Sequence, residues 1–186
     1  MVCSKNACAG GYGNCIDVKI TNSCNGSCAF CIEKDGYSPE KSVTPAKLAM
    51  ETIAQHEFPT VLILGGEPTM YAGLCEYLQY IRPYKNQIFM TTNGSLLKTP
   101  YQDMDILGQC LDGLNISIHH YTEEKNDMVL RGGAPNAPAG RPNMHVSFDM
   151  LKTAIQTLHQ HSCSVRINTN LVKGFIETRE DIDHMV

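Results

Sequence analysis

The stretch IDVKITNSCNGSCAFC, residues 16–31, joins a strand to a loop that carries three cysteines. Ile16, Val18 and Ile20 alternate with polar residues, which is the pattern of a strand with one buried face. The cysteines that follow have the spacing C-x3-C-x2-C. A strand that ends in a loop of metal-binding residues is typical of parallel α/β proteins, whose sites lie where the strands end.

Four more strands follow at regular intervals, with helices between them. Apolar runs predict strands at 61–64, 88–90, 114–118 and 164–171, and apolar residues at helical spacing predict helices at 46–56, 74–81, 100–110 and 147–158. The run at 61–64 is continuous, as in a strand that is buried on both faces. Because strands and helices alternate, we expect an α/β fold with about five βα units, a parallel sheet and helices outside it.

The predicted units form one domain at residues 15–186, after an amino-terminal extension at 1–14. The chain reaches Val186 within the helix after the fifth strand, and we expect it to lack the last strand of a barrel. Glycines and prolines in RGGAPNAPAGRP, residues 131–142, predict a long loop, which we interpret as a lid or an insertion.

Composition and charge exclude several classes of protein. The net charge of −4 is too acidic for a chain that grips nucleic acid by its phosphates. The first residues lack the charged-then-apolar order of a secretion signal, and no apolar run approaches the ~20 residues of a membrane span. We therefore expect a cytoplasmic protein with no nucleic acid partner and no membrane partner.

The chain has nine cysteines, and their odd number and the absent signal argue against a disulfide framework. Cys24, Cys28 and Cys31 can ligate three irons of a cubane cluster and leave the fourth iron without a protein ligand. A zinc knuckle, which normally needs a fourth cysteine or histidine, and chance clustering are the alternatives.

The other six cysteines fall into two groups. An auxiliary cluster is one interpretation of Cys3, Cys8 and Cys15, but their irregular spacing favours ordinary thiols. Predicted helices and strands contain or adjoin Cys75, Cys110 and Cys163, where cysteine behaves as a small apolar residue. We expect these last three to belong to the core.

Together these motifs resemble the radical S-adenosylmethionine (radical SAM) superfamily, whose members carry a C-x3-C-x2-C loop after the first barrel strand. Phe30 stands where the family commonly has an aromatic residue before the third cysteine. The sequence Gly65-Gly66-Glu67-Pro68 looks like the family motif that follows the second strand. The resemblance covers residues 15–175.

The resemblance implies a partial TIM-like (β/α)6 radical SAM barrel and a pair of cofactors. It implies a [4Fe–4S] cluster on Cys24, Cys28 and Cys31 that reductively cleaves S-adenosylmethionine to a 5′-deoxyadenosyl radical, which abstracts hydrogen from a substrate. It also implies an external electron donor such as flavodoxin or ferredoxin. The resemblance does not indicate the substrate, which is a peptide, a protein or a small molecule.

The resemblance also places cofactor contacts at the carboxyl ends of the strands. Glycines in the second loop allow close approach to a ligand and positive φ, and Glu67 can pair with an ammonium group. Ordinary turns are the alternative for this loop and for the Thr92-Asn93 loop. The implied cofactor-binding residues are Phe30, Gly65, Gly66, Glu67, Thr92, Asn93, Ser117 and Arg166.

Three further polar residues are candidates for substrate contacts. His119 shares the face of Ser117, whereas His120 should point toward the helices. Asn168 and Asn170 share a face of the fifth strand with Arg166. A structural histidine with satisfied hydrogen bonds is the alternative for His119.

Several functions stay open at this point. The strand spacing is similar to that of the molybdenum-cofactor GTP cyclase and of related peptide-modifying enzymes, but the cyclase's two substrate-binding arginines align with Asp17 and Leu62. Its second-cluster cysteines are also absent from these residues, so we do not expect GTP cyclisation. A glycyl-radical-enzyme activase, a non-catalytic iron-sulfur or zinc redox sensor, and a truncated barrel that no longer turns over are the alternatives.

Overall fold

The computed structural model describes residues 14–32, 46–98, 102–133 and 144–185. Its strands are β1 Cys15–Lys19, β2 Thr60–Leu64, β3 Gln87–Thr92, β4 Gly113–Ser117 and β5 Ser164–Asn168. Its helices are α1 Ala46–Gln55, α2 Leu74–Ile81, α3 Met104–Cys110, α4 Glu123–Leu130, α5 Phe148–Gln160 and α6 Arg179–Met185. Short 3-10 helices lie at Pro68–Met70 and Arg82–Tyr84.

The strands form one parallel sheet in the order β1-β2-β3-β4-β5, so each strand pairs with the next along the chain. This arrangement confirms the predicted parallel α/β fold with helical crossovers. Within the described residues β1 and β5 are the two edges of the sheet, which is therefore open rather than closed into a barrel. All five loops that follow the strands emerge at the same end of the sheet, where the strands have their carboxyl ends. We call this end the carboxyl edge.

The helices pack on one face of the sheet and form the core there. Ile63 of β2, Met90 of β3 and Ile116 of β4 point to this side and are 0% exposed. They join one apolar cluster with Leu78 of α2 and Leu158 of α5. Most strand residues between them are only partly buried, so the other face of the sheet is open.

The structure corrects three expectations about the elements. The β2 strand is not buried on both faces, because Leu62 and Leu64 lie on the open face and are only partly buried. The fifth strand ends at Asn168 rather than at residue 171. The sequence pattern also misses α4, whose inward-facing residues include Asn126 and Asp127.

The prediction of core cysteines is confirmed for Cys110, 5% exposed, and Cys163, 1% exposed. It is wrong for Cys75, which is only partly buried and whose thiol donates to Gln102 Oε1 at 3.7 Å. Burial raises the pKa of the Cys163 thiol to about 11. Ser147 caps α5 as its side chain accepts a hydrogen bond from the Met150 N–H at 3.4 Å. Two expectations, the thiols of Cys3 and Cys8 and most of the loop at 131–142, concern residues outside the described part of the chain.

Candidate functional site

The cysteine loop, residues 23–31, follows β1 at the carboxyl edge of the sheet. Cys24 and Cys28 are half-buried and Cys31 is exposed. Two hydrogen bonds shape the loop from within: the Gly26 N–H donates to Cys24 Sγ at 3.3 Å, and the Cys31 N–H donates to the Cys28 carbonyl at 3.1 Å. The loop therefore has a defined backbone conformation.

The carboxyl end of α4 supports this loop from one side. The Ser27 N–H donates to the Leu130 carbonyl at 2.7 Å, and Cys28 Sγ lies 3.6 Å from the same oxygen. Gly132 follows with φ at 74°, and a Cβ there would lie 2.2 Å from the Ser27 carbonyl oxygen. Only glycine permits this approach, so α4, which the sequence pattern missed, belongs to the site.

The Gly-Gly-Glu-Pro loop after β2 docks on the same cysteine loop. The Gly66 N–H donates to the Thr21 carbonyl at 2.9 Å, and the Glu67 N–H donates to the Ser23 carbonyl at 2.7 Å. A Cβ on Gly66 would lie 2.4 Å from the Ser23 carbonyl oxygen. The expected positive φ is wrong, since among the described glycines only Gly94, Gly132 and Gly174 have one. Glycine is needed at 66 because two backbones touch.

Glu67 lies at the centre of a buried hydrogen-bond network and is 1% exposed. Its Oε1 accepts from the Thr69 N–H at 3.1 Å, from Thr69 Oγ1 at 2.5 Å and from Thr92 Oγ1 at 2.6 Å. Its Oε2 accepts from the Asn93 N–H at 2.7 Å. Burial raises the pKa of the carboxyl group, although these hydrogen bonds oppose the shift. The carboxylate thus joins the loops after β2 and β3, and its pairing with an ammonium group stays a prediction.

A ring of three hydrogen bonds joins the cysteine loop to the loop after β3. Asn25 Nδ2 donates to Ser95 Oγ at 2.8 Å, Ser95 Oγ donates to Asn93 Oδ1 at 2.7 Å, and Asn93 Nδ2 donates to Asn25 Oδ1 at 2.8 Å. Sequence reasoning named Asn93 but missed Asn25 and Ser95. The turn composition Asn93-Gly94-Ser95 was the available signal, and nothing in the sequence pointed from it to Asn25.

His119 packs against the cysteine loop rather than facing an open lumen. Its ring meets the Phe30 ring edge to face, with centroids 4.9 Å apart. It is 3% exposed, its Nδ1 accepts from the Asn170 N–H at 3.1 Å, and burial lowers its pKa to about 4. Burial and this hydrogen bond favour the alternative of a structural histidine, and the substrate contact of His119 stays a prediction. His120, expected to turn toward the helices, is 0% exposed.

Ser117, Arg166 and Asn168 lie together on the open face of the sheet. The register pairs Ser117 with Asn168 and Asn115 with Arg166, so all four side chains lie on one face. Arg166 and Asn168 are exposed and Ser117 is half-buried. The structure therefore groups these candidates on one face, at the β4–β5 side of the sheet.

The residues of the cysteine loop fit an iron-sulfur cluster by the chemistry of their donors. Three thiols within eight residues supply soft ligands for three irons and leave the fourth iron open. Across the described ranges, no three His, Cys, Asp or Glu side chains are already arranged to hold a metal ion. Backbone hydrogen bonds to α4 and to the Gly-Gly-Glu-Pro loop hold the cysteine loop at Ser27 and Ser23.

Comparison with known families identifies the chain. The model of the Radical SAM superfamily matches residues 18–186. The chain belongs to the radical SAM superfamily. The enzymes of this superfamily use a [4Fe–4S] cluster and S-adenosylmethionine, and the match includes the three-cysteine loop and the Gly-Gly-Glu-Pro loop.

The curated relatives of this radical SAM chain include proteins named as GTP 3′,8-cyclases. A probable GTP 3′,8-cyclase of Thermococcus kodakarensis is 31% identical over 160 residues, which are 84% of this chain and 47% of that protein. The GTP 3′,8-cyclase of Clostridium perfringens is 26% identical over 174 residues, 88% of this chain and 49% of that protein. The chain thus spans about half the length of the relatives that it matches.

Solved structures share the fold. SuiB of Streptococcus suis, bound to its precursor peptide SuiA, matches with a TM-score of 0.68 at 21% identity, over 92% of this chain and 35% of that one. A TYW1 structure with a lysine-pyruvate adduct matches with a TM-score of 0.55 at 20% identity, over 93% of this chain and 59% of that one.

We find no helix among the described residues with the length and apolarity to cross a bilayer.

Proposed function

We propose that this chain is the core of a radical SAM enzyme in which Cys24, Cys28 and Cys31 hold a [4Fe–4S] cluster. The observation that supports this most is the contact between two loops at the carboxyl edge. Gly66 and Ser23 touch so closely that a single Cβ would overlap the Ser23 carbonyl oxygen, at 2.4 Å. This contact keeps the Gly-Gly-Glu-Pro loop, in which Glu67 is the proposed partner of an ammonium group of the cofactor, beside the cysteines.

When bound, the cluster and S-adenosylmethionine supply a 5′-deoxyadenosyl radical, which takes a hydrogen atom from the substrate. The chain's own residues bind and orient the cofactor and the substrate. The close backbone contact at Gly66 fixes the loop that would bind the cofactor, and Phe30 presents an aromatic ring beside Cys31. Ser117 and Arg166 are the proposed polar contacts on the open face, with Asn168 and Asn170 as proposed substrate contacts.

The buried groups beside the site have supporting roles in this proposal. Glu67 fixes the loops after β2 and β3 relative to each other through two hydrogen bonds, from Thr92 and Asn93, and two more from Thr69 hold it within its own loop. His119 supports Phe30 by ring packing at 4.9 Å. Cys31 is exposed, which leaves this side of the loop accessible to an external one-electron donor such as flavodoxin or ferredoxin.

Binding of the two cofactors tests the first part of the proposal without requiring turnover. The chain is reconstituted with iron and sulfide in the absence of oxygen, and iron is counted per chain. The reduced protein is then studied by electron paramagnetic resonance with and without S-adenosylmethionine. We expect about four irons per chain, as in a cubane cluster, and a spectrum that changes when the cofactor is added. A loaded cluster with an unchanged spectrum would favour a sensor instead.

We propose that the substrate is not GTP, although relatives carry the cyclase name. The two positions that align with the cyclase's substrate arginines are Asp17 and Leu62, and the structure pairs them side by side across β1 and β2. Neither side chain offers a cation to a triphosphate, and the Asp17 carboxylate repels it. Incubation of the loaded protein with GTP and S-adenosylmethionine should leave GTP unconsumed. Formation of a cyclised nucleotide would refute this part.

A further inference from the structure

The cysteine loop is fixed at every second residue between positions 23 and 27. The Ser23 carbonyl accepts from the Glu67 N–H, and the Ser27 N–H donates to the Leu130 carbonyl, both at 2.7 Å. Between these two backbone contacts, the side chain of Asn25 is held by Asn93 and Ser95. The three supports come from the loops after β2 and β3 and from α4.

The three hydrogen bonds among Asn25, Ser95 and Asn93, which we call the Asn25 ring, all run in the same direction and form a closed cycle. Asn25 Nδ2 donates to Ser95, Ser95 Oγ donates to Asn93, and Asn93 Nδ2 donates back to Asn25. Each of the three side chains thus gives one hydrogen bond and takes one, and none can be removed without leaving a donor and an acceptor unmatched. Asn93 and Ser95 are each 9% exposed, so water compensates poorly for a lost member.

The ring is also connected to the Gly-Gly-Glu-Pro loop. The Asn93 N–H donates to Glu67 Oε2 at 2.7 Å, and the Ser95 N–H donates to Asn93 Oδ1 at 3.0 Å. Asn93 therefore uses its backbone for the loop after β2 and its side chain for the cysteine loop. Asn93 thus adds a second link between the two loops, beside the direct hydrogen bond from the Glu67 N–H to the Ser23 carbonyl.

We infer that Asn25 and Ser95 are positioning residues, which hold the cysteine loop in the conformation that binds the cluster, and that Asn93 acts with them rather than as a cofactor ligand alone. This inference deepens the proposed function and rests on it for the identity of the bound group. The ring itself is a property of the ligand-free chain, so it can be tested there.

Thiol alkylation of the metal-free protein tests the ring directly. Wild type, Asn25→Ala and Ser95→Ala are treated with iodoacetamide, and the rate at each cysteine is measured by peptide mass spectrometry. Loss of the ring should open the loop and speed alkylation of Cys24 and Cys28 by about tenfold, the effect of losing one or two buried hydrogen bonds. Cys163, 1% exposed in the core, should keep its rate.

Two further variants separate a specific role from general destabilisation. Ser95→Thr keeps the hydroxyl and should stay near the wild-type rate. Ser164→Ala removes the hydrogen bond from Ser164 Oγ to the Asp112 carbonyl, 2.9 Å long and at the opposite end of the sheet, and should not change the rates at Cys24 and Cys28. Equal rates in all proteins would overturn the inference, and so would a parallel rise at Cys163, which reports global unfolding.

The loaded protein gives an independent readout. A chelator should remove iron from Asn25→Ala and Ser95→Ala about tenfold faster than from wild type and Ser164→Ala, for the same reason. Identical removal rates would count against positioning of the cluster. If wild type binds no iron at all, the proposed function fails, whereas the alkylation rates still decide whether the ring holds the loop.

Discussion

The side-chain oxygen Oε2 of Glu67 accepts a hydrogen bond from the backbone N–H of Asn93 at 2.7 Å. This bond crosses from the loop after β2 to the loop after β3, and it is one of four that converge on the same carboxylate. The acidic residue of the Gly-Gly-Glu-Pro motif is therefore also a structural link at the carboxyl edge of the sheet, and its substitution should affect the fold.

Glu67→Gln should destabilise the protein by about 1–3 kcal/mol, the cost of leaving buried polar groups unmatched. A glutamine places an NH2 group against either the Asn93 N–H or the donors from Thr69 and Thr92. The free energy of unfolding in urea measures the effect. Glu57→Gln, the same change at an exposed loop position, should stay within about 0.5 kcal/mol of wild type. Equal stability of both variants would contradict the described network.

Gly66→Ala should separate the Gly-Gly-Glu-Pro loop from the cysteine loop. The new Cβ would lie 2.4 Å from the Ser23 carbonyl oxygen, and that backbone cannot move without breaking its bond to the Glu67 N–H. We expect a loss of about 1–3 kcal/mol in stability and weaker binding of S-adenosylmethionine, measured by urea unfolding and by calorimetry.

Gly73→Ala is the matched control for this substitution. The three atoms nearest to its Cβ would all belong to the Tyr71 ring and its hydroxyl, at 3.1 Å, and a side-chain ring can shift. It should cost less than about 1 kcal/mol and leave cofactor binding unchanged. Equal effects of the two substitutions on binding would show that the contact with Ser23 is not what holds the cofactor loop.

His119 should make the fold sensitive to mild acid. Burial lowers its pKa from 6.5 to about 4 in the folded chain, so between these values the unfolded state binds the proton more readily. The contribution of His119 to the free energy of unfolding therefore falls as pH drops from about 6.5 to about 4, by up to about 3 kcal/mol. It is constant above and below that window.

His119→Phe isolates this effect, because it keeps a ring against Phe30 and removes the titration. The variant should lose stability overall, as the Asn170 N–H loses its acceptor, but should show a flatter dependence on pH from 6.5 to 4. Urea unfolding at several pH values gives the difference in the free energy of unfolding between the two proteins. In this difference the contributions of the other acidic groups cancel. Parallel curves would mean that the imidazole titrates normally in the folded chain.

Much of the fold follows from sequence because the strands bury one face. The alternation at Ile16, Val18 and Ile20 predicts β1, and the apolar runs predict the other strands to within a few residues. The α4 helix escapes this reasoning since Asn126 and Asp127, 0% and 4% exposed, are polar residues on its buried side. A pattern that reads polar residues as surface cannot find such a helix.

The candidate site divides in the same way. The spacing of the cysteines and the Gly-Gly-Glu-Pro sequence are local features, and both are visible in the chain. The partners of Asn25 lie 68 and 70 residues away, so its role depends on which loops the sheet brings together. The burial of His119 likewise depends on Phe30, which reaches it from the loop after a different strand.

We propose that this chain cleaves S-adenosylmethionine at a cluster held by three cysteines, and formation of 5′-deoxyadenosine tests this most directly. The reconstituted, reduced protein is incubated with S-adenosylmethionine without oxygen, and 5′-deoxyadenosine is measured for wild type, Cys28→Ala and Cys163→Ala. We predict product from wild type and from Cys163→Ala, whose cysteine lies in the core, and none from Cys28→Ala. No product from a fully loaded wild type, or undiminished product from Cys28→Ala, would contradict the account.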